Sequence, residues 1–340
     1  FVCPDMASVA HLAAHGNLAD LSMADGLFLD TETTGLAGGT GTFAFLIGLG
    51  WFEGDDFIVC QLFARDFPEE AAMLGFLREI AREKHFLVTF NGRAYDLNLL
   101  GTRYILNRLE DPFATMPHVD LLHPSRRLLG HRLVNSRLVT LEACVLGFER
   151  TGDVPGFEIP QRYFDWLRRR DARLMEDVFE HNRLDIISMA ALVKHLSDLL
   201  AGEMLSTAHP SDIIAAARLY LERGNQDAAR RFYECACNAA ETSAIKDAKR
   251  ALSLMHKQAG KWKEAVCIWE EMIVRDPGDV FAAEELAKYL EHRVHDYQRA
   301  IRIVEDILEN AGYLSGEVRG AFEYRLARLL GKYERSVISE

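Results

Sequence analysis

The order in which short apolar runs alternate with helical patterns between Leu27 and Asp120 constrains this chain more than any other feature. LFLD (27 to 30) and FAFLIGLGWF (43 to 52) read as strands. DFIVCQLFA (56 to 64) follows after a Gly54-Asp55 turn, so the first three strands form an antiparallel meander. PEEAAMLGFLREIAREK (68 to 84) repeats its apolar residues at helical spacing behind an acidic first turn. HFLVTF (85 to 90) is a further buried strand, Asn91-Gly92 a turn, AYDLNLLGTRYILNRL (94 to 109) a helix and HVDLL (118 to 122) the last strand. A meander followed by helix, strand, helix and strand specifies a mixed sheet flanked by helices, the α/β class. From 133 to 200 the pattern is mostly helical, broken by the Gly- and Pro-rich TGDVPGFEIP (151 to 160), and it ends in a long helix from about Leu174 to Leu200.

Beyond AGEMLSTAHPS (201 to 211), with Gly202, Pro210 and a capping Ser211, the grammar changes. GNQDAA, GKWKEA and HDYQRA each place a small residue after a turn, and Ala229, Ala265 and Ala300 lie 36 and 35 residues apart. Amphipathic helices flank each turn, and Trp262 and Tyr297 hold the same offset. A period near 34 built from helix, turn and helix is the tetratricopeptide signature and predicts an all-α solenoid. The expected organisation is an N-terminal extension (1 to 26), a catalytic-type domain (27 to 200), a linker (201 to 211) and helical repeats (212 to 335).

Composition narrows the function classes. A net charge of -12 over 340 residues argues against a protein that coats nucleic acid nonspecifically, which needs a basic surface to displace counterions. No apolar run of about 18 residues predicts a membrane span, and FVCPDMASVAHLAAHG lacks the basic start and apolar core of a signal peptide. Cys3, Cys60, Cys144, Cys235, Cys237 and Cys267 show no CxxC pairs, so they read as buried thiols of a reducing compartment, and a cytoplasmic location is expected.

Chemistry concentrates in three places. On the first strand Asp30 and Glu32 point to one side, with Thr31 between them facing the other. Two carboxylates aimed at one point repel unless something positive sits there. NGRAYDLNLL puts Asp96 one turn into a helix, and HNRLDIISM stacks His181 and Asp185 at i and i+4 among apolar neighbours. The glycines after Glu32 are not a P-loop, because LDTETTGLAGGTGT contains no Lys. Nor are they a dinucleotide fingerprint, because they lead into a strand. They leave room for close backbone approach, with Thr33, Thr34, Gly35 and Leu36 beside a terminal sugar, or they form a wide turn. Arg126, Arg127, Arg132 and Arg137, and Arg168, Arg169, Arg170 and Arg173, either line a phosphate-tracking groove or form solvated faces. Phe43, Phe45, Tyr95 and Tyr163 are candidates for base stacking or for core.

D-x-E on an early strand, Asn91-x-x-x-Tyr95-Asp96 at a strand-to-helix junction and a His before a last Asp together resemble the DEDD exonucleases of the ribonuclease H fold. LDTETTGLAGGTGTFAFLIGLG, VTFNGRAYDLNLL, VDLLHPSRRLL, LEACVLGFERTGDVPGFEIP and EHNRLDIISMAAL look more narrowly like the YprB-type ribonuclease-H-like proteins, in which this domain is joined to tetratricopeptide repeats. The resemblance implies a two-metal 3′ to 5′ exonuclease. Asp30 would bridge two Mg²⁺ or Mn²⁺ ions, Glu32 and Asp185 would complete one site, and Asp96 would hold the other mainly through water. Asn91, Tyr95, Arg126 and Arg127 would join Thr33 to Leu36 in holding nucleic acid, a single-stranded end of DNA or RNA. His181 would orient or deprotonate the attacking water. The DEDD groups place either a Tyr with three residues between it and the last Asp or a His with four between, whereas His181 stands with three between, about one hundred degrees around the helix from the position of that His. Its alternative role is to fix Asp185 by a hydrogen bond. Two other functions are open on the sequence: an interaction scaffold whose repeats bind a protein partner, with a weak or idle nuclease domain, and a ribonuclease-H-type endonuclease.

Overall fold

The computed structural model describes residues 3–35, 40–238, 243–310 and 314–338. The chain divides into two compact units, Phe1–Ala208 and His209–Glu340.

In the first unit β1 (Gly26–Thr33), β2 (Ala44–Glu53), β3 (Asp56–Phe63), β4 (Phe86–Thr89) and β5 (His118–Asp120) make one sheet in the order β3-β2-β1-β4-β5. β1, β2 and β3 run antiparallel, joined between the last two by Gly54 in the left-handed region (φ +61). β4 and β5 run parallel to β1, as short strands reached through helical crossovers must. The crossovers are α2 (Glu70–Ala81) and α3 (Asp96–Leu106). β2 is almost continuously apolar because both its faces are covered: Ala44 through Gly50 are all buried. Phe43, Phe45 and Tyr163 belong to this core, with Phe45 and Tyr163 stacked at 4.1 Å, so they cannot serve as base platforms.

After β5 come α4 (Leu122–Leu129), α5 (Leu138–Leu141), α6 (Ile159–Arg169) and the long α7 (Glu176–Ala201). Residues ahead of β1 fold with this unit. α1 (Met6–Ala13) packs on α7, and Ser197 Oγ donates to the Asp5 carbonyl at 3.1 Å.

The second unit is all-helical: α8 (Pro210–Glu222), α9 (Gln226–Cys237), α10 (Ser243–Gln258), α11 (Trp262–Arg275), α12 (Val280–Tyr289), α13 (Tyr297–Asn310) and α14 (Gly316–Ile338) pack each on the next. Its three periodic turns share one device. Gly224 (φ +78), Gly260 (φ +71) and His295 (φ +59) take the left-handed conformation, and five residues later Ala229, Ala265 and Ala300 are fully buried. α8 starts one step earlier than expected, with Pro210 in its first turn and the His209 ring, rather than Ser211, accepting the capping bond from Ser211 N at 3.3 Å. The six cysteines are free thiols, but none is buried: Cys3, Cys144 and Cys267 are exposed and the others half-buried. No helix among the described residues is long and apolar enough to cross a membrane.

Candidate active site

β1 carries Asp30 and Glu32 at its C-terminal end, where it no longer has β4 beside it: the parallel pairing covers only Gly26 to Phe28. Asp30 lies opposite Gly48 of β2. The missing side chain at Gly48 lets α7 come close, and the buried Asn182 uses that space to donate from Nδ2 to Asp30 Oδ2 at 2.9 Å. Asn182 is itself held by Gln61 of β3, whose Nε2 donates to Asn182 Oδ1 (2.9 Å) and to the Phe179 carbonyl (2.8 Å). This chain of amides aims one oxygen of Asp30.

The turn from β4 into α3 places Asp96. Asn91 adopts φ +65, which Asn tolerates better than most residues, and Gly92 packs so tightly on Thr89 that a Cβ would lie 2.5 Å from its Oγ1. Asp120, at the end of β5, clips the turn by accepting from Asn91 N (2.7 Å), Arg93 N (3.1 Å) and Leu122 N (3.1 Å). Asp96 then sits against the bare edge of β1, where Thr31 Oγ1 donates to its Oδ1 at 2.5 Å. Thr31, expected to face away from the carboxylates, therefore reaches one of them.

α7 supplies His181 and Asp185 from successive turns. His181 Nε2 faces Asp185 Oδ2 at 3.7 Å and Glu32 Oε1 at 4.0 Å, so the displaced imidazole still meets the carboxylates. Its Nδ1 lies 2.7 Å from Asp153 Oδ1. Below this pair Arg150, 4% exposed, donates to both oxygens of Glu142 (2.7 and 2.5 Å), to Asp153 Oδ2 (3.2 Å) and to Asp185 Oδ1. Asn182, Gln61, Asp120, Arg150 and Asp153 were not legible as site residues. Asn182 and Arg150 stand in the quoted stretches HNRLDIISM and GFERTGDVPGFEIP, yet only a buried amide or guanidinium in the fold reveals such a role.

The electrostatics are those of a site short of positive charge. Burial, and then Asp185 and Asp96, push Asp30 well above the usual carboxylate range, against the opposing pull of Asn182 and Arg150. Glu32 is raised likewise by burial and by Asp30, Asp185, Asp96 and Asp153. Burial pushes Asp96 up to about 6 although Thr31 hydrogen-bonds its charged form, and it raises Asp185 against His181 and Arg150. Each group would be eased by a cation. The donors are all carboxylate oxygens, with no thiolate, and such hard donors fit Mg²⁺ or Mn²⁺. Asp30, Glu32, Asp96 and Asp185 are therefore the residues that would hold metal. As they stand, no three of these side chains bring ligand atoms within 4.8 Å of one another. Ligands of a single Mg²⁺ lie within about 4.2 Å of each other, so the carboxylates stand apart, as like charges do.

Asp30, Glu32 and Asp96 line a cleft of 660 Å³ together with Thr33, Gly35, Asn91 and Tyr95. Tyr95 is 59% exposed on one wall, and Gly156 and Pro160 form part of the lining, beside Phe157, which is 72% exposed. Thr34 is absent from the lining because its backbone and hydroxyl both bind Phe43, closing the start of β2. Leu36 lies outside the described residues. Arg126 and Arg127 are exposed on α4, which leaves edge strand β5 two strands away from β1, and they do not line the cleft. The later arginines pair locally instead of tracking a groove: Arg170 with Asp66 at 2.7 Å, Arg173 with Asp171 at 2.7 Å and Arg168 with Asp165 at 3.6 Å.

Residues 27–197 match the RNase_H superfamily. The uncharacterized protein YprB of Bacillus subtilis (strain 168) is 33% identical over 313 residues, covering 90% of this chain and 74% of that protein. The meander with two parallel strands beyond it, the acidic cleft at the end of β1 and these two likenesses agree that the chain belongs to the RNase_H superfamily.

Proposed function

We propose that the first unit is a divalent-metal-dependent nuclease that hydrolyses phosphodiester bonds at a single-stranded 3′ end. The observation that carries the reading is the convergence of Asp30 and Glu32 of β1 and Asp96 of α3 on one cleft, with Asp185 of α7 facing Glu32 across His181 Nε2 and all four carboxyl groups raised by burial. Bound there, two Mg²⁺ or Mn²⁺ ions would lower the pKa of the attacking water and neutralise charge on the leaving oxygen. The chain's own residues do the rest. Asn182 aims Asp30, Thr31 aims Asp96, and His181 Nε2 faces the space between Glu32 and Asp185, where it can accept a proton from water.

An unpaired end fits the walls better than a duplex. Tyr95 and Phe157 are exposed aromatics on and beside the cleft, suited to stacking on bases. Among the described residues no Lys or Arg lines it, so recognition of the phosphate falls to the ions. The exonucleolytic 3′ to 5′ sense rests on the resemblance of the motif set.

The test incubates the protein with single-stranded DNA and RNA, labelled at either end, in Mg²⁺, Mn²⁺ or chelator, beside Asp30→Asn. Stepwise shortening from the 3′ end that needs metal and Asp30 supports the reading. Cleavage that survives chelator or Asp30→Asn sinks it. The second unit we read as tetratricopeptide-like, a surface for a protein partner; Tyr324 and Leu330 of α14 are 70% and 42% exposed.

A further inference from the structure

We infer that Asp153, with Arg150 behind it, is the positioning residue that fixes His181 as an Nδ1–H imidazole with its Nε2 lone pair turned to the carboxylate cluster. The inference rests on the nuclease reading for its kinetic consequence, but its structural content stands alone.

Among the described residues two groups face His181 Nδ1: Asp153 Oδ1 at 2.7 Å and Arg150 Nη1 at 3.4 Å. A guanidinium has no lone pair to offer, and a carboxylate oxygen has no proton to give. A bare Nδ1 set 2.7 Å from a carboxylate would bring two lone pairs together. The proton therefore sits on Nδ1 and is donated to Asp153. In the neutral ring this leaves Nε2 unprotonated. Nε2 is the atom that faces Asp185 Oδ2 and Glu32 Oε1.

Arg150 makes the arrangement rigid. Its guanidinium is nearly buried, forked onto Glu142, which is 1% exposed, and it reaches the second oxygen of Asp153 and Oδ1 of Asp185. Asp153 and Asp185 thus turn their other oxygens towards opposite nitrogens of one imidazole. The segment bearing Asp153 is irregular but anchored. Gly152 turns through φ +72, and Val154 (2% exposed) and Ile159 are buried in the core of the unit. In the reaction, a water oxygen bonds to phosphorus as the P–O bond to the leaving sugar breaks. The water's proton passes to Nε2, and the leaving oxygen takes a proton from solvent. The imidazolium so formed keeps its Nδ1 proton against Asp153, as a carboxylate-held histidine does in other hydrolases.

Asp153→Asn separates positioning from packing. Arg150 Nη1 donates to one oxygen of Asp153, so in the variant it selects the amide oxygen and leaves the amide NH₂ facing His181 Nδ1. The ring must then accept at Nδ1 and carry its proton on Nε2. The measurement is ¹⁵N NMR of histidine-labelled full chain at one pH, with the His181 signals assigned by their loss in His181→Gln. Mn²⁺ binding and single-turnover cleavage are followed in parallel. Wild type shows the Nδ1–H tautomer and Asp153→Asn the Nε2–H tautomer. Mn²⁺ affinity changes less than two-fold, and the single-turnover rate falls about 10²-fold with KM unchanged. Asp153→Glu, which keeps the carboxylate, restores the tautomer and part of the rate.

An Nε2–H tautomer in wild type overturns the inference. So does an Asp153→Asn loss of rate that tracks loss of Mn²⁺ binding. If Asp153→Asn does not fold, the wild-type tautomer alone decides. If wild type cleaves nothing, the nuclease reading fails while the tautomer still judges the role of Asp153.

Discussion

Replacing Gly48 by Ala tests whether the backbone of β2 helps to build the site. An added Cβ would lie 2.3 Å from Asn182 Oδ1 and 2.8 Å from its Cγ and Nδ2. Asn182 cannot swing aside cheaply, because it is fully buried and held at one end by Gln61 and at the other by Asp30. Overpacking a rigid core costs about 1–3 kcal/mol. Losing the amide bond to Asp30, whose carboxyl group burial keeps protonated without metal, adds about 0.5–1.5 kcal/mol. For a unit of this size a loss near 3 kcal/mol lowers Tm by about 6–12 °C. Calorimetry of Gly48→Ala should show that shift, and the extra stability gained on adding Mn²⁺ should shrink because Asp30 has lost its guide. Gly50→Ala is the control. Its Cβ would strike Ile186 Cγ2 and Phe57 Cζ, each at 2.6 Å, at similar steric cost, but it leaves Asp30 its donor, so the response to Mn²⁺ should persist. In Gly48→Ala with Asn182→Ala the smaller side chain clears the clash, and the double variant should be at least 1 kcal/mol more stable than the two single losses summed. A Gly48→Ala cost within 0.5 kcal/mol, or strict additivity, would refute the packing argument.

Other expectations follow from the charges. Asp96 is raised to about 6 and Asp30 and Glu32 are raised as well, so above pH 4 the metal-free folded chain holds protons that the unfolded chain has lost. Its stability falls as pH climbs from about 4 through 6, and the Tm gain from Mn²⁺ should be larger at pH 7 than at pH 5, with a smaller pH dependence in Asp96→Asn. In the second unit, burial alone would raise Glu291, but hydrogen bonds from Arg328 and Lys332 bring it down to about 2. Its contribution is complete above pH 4.5 and is lost as pH falls through about 2. Glu291→Gln should cost about 1–3 kcal/mol, the partners being partly exposed, in denaturant unfolding at pH 7, and much less at pH 2. Tyr95→Ala should raise KM for single-stranded substrate about 5- to 150-fold at unchanged kcat, from a stacking loss of about 1–3 kcal/mol; an unchanged KM would remove Tyr95 from the substrate site.

What could be read from the sequence was whatever depends on periodicity or on residue type alone. The period-two and period-3.6 patterns located all five strands of the first unit, and the Gly54-Asp55 and Asn91-Gly92 turns stand where positive φ is needed. The alanine period found the buried crossings of the second unit, even at His295, where no glycine marks the turn. The four carboxylates could be proposed because D-x-E on an early strand, Asp96 at a strand-to-helix junction and Asp185 after a His stand in the order of the DEDD exonucleases, each motif being weak alone. Their supports could not. Asn182 looks like any polar residue on a helix until Gly48 is set against it, and Asp153 looks like loop until His181 Nδ1 is 2.7 Å away. The arginines misled for the converse reason: charge runs are visible in a sequence, but that Asp66, 104 residues away, absorbs Arg170 is known only from the fold.

The hydrogen bond from Asn182 to Asp30 closes a gap of 152 residues in the chain. At about 5–20 residues per second, a ribosome takes roughly 8–30 s to cover that distance. Throughout it the nascent chain displays β1 and its acids without the helix that completes them. α7 is the last large element of the first unit to be made, so the cleft assembles only when nearly the whole unit has been synthesised. A truncated or stalled product ending before α7 lacks Asp185, His181 and the clamp on Asp30 together. On the nuclease reading, premature fragments are thereby prevented from cutting nucleic acid while they are still being made.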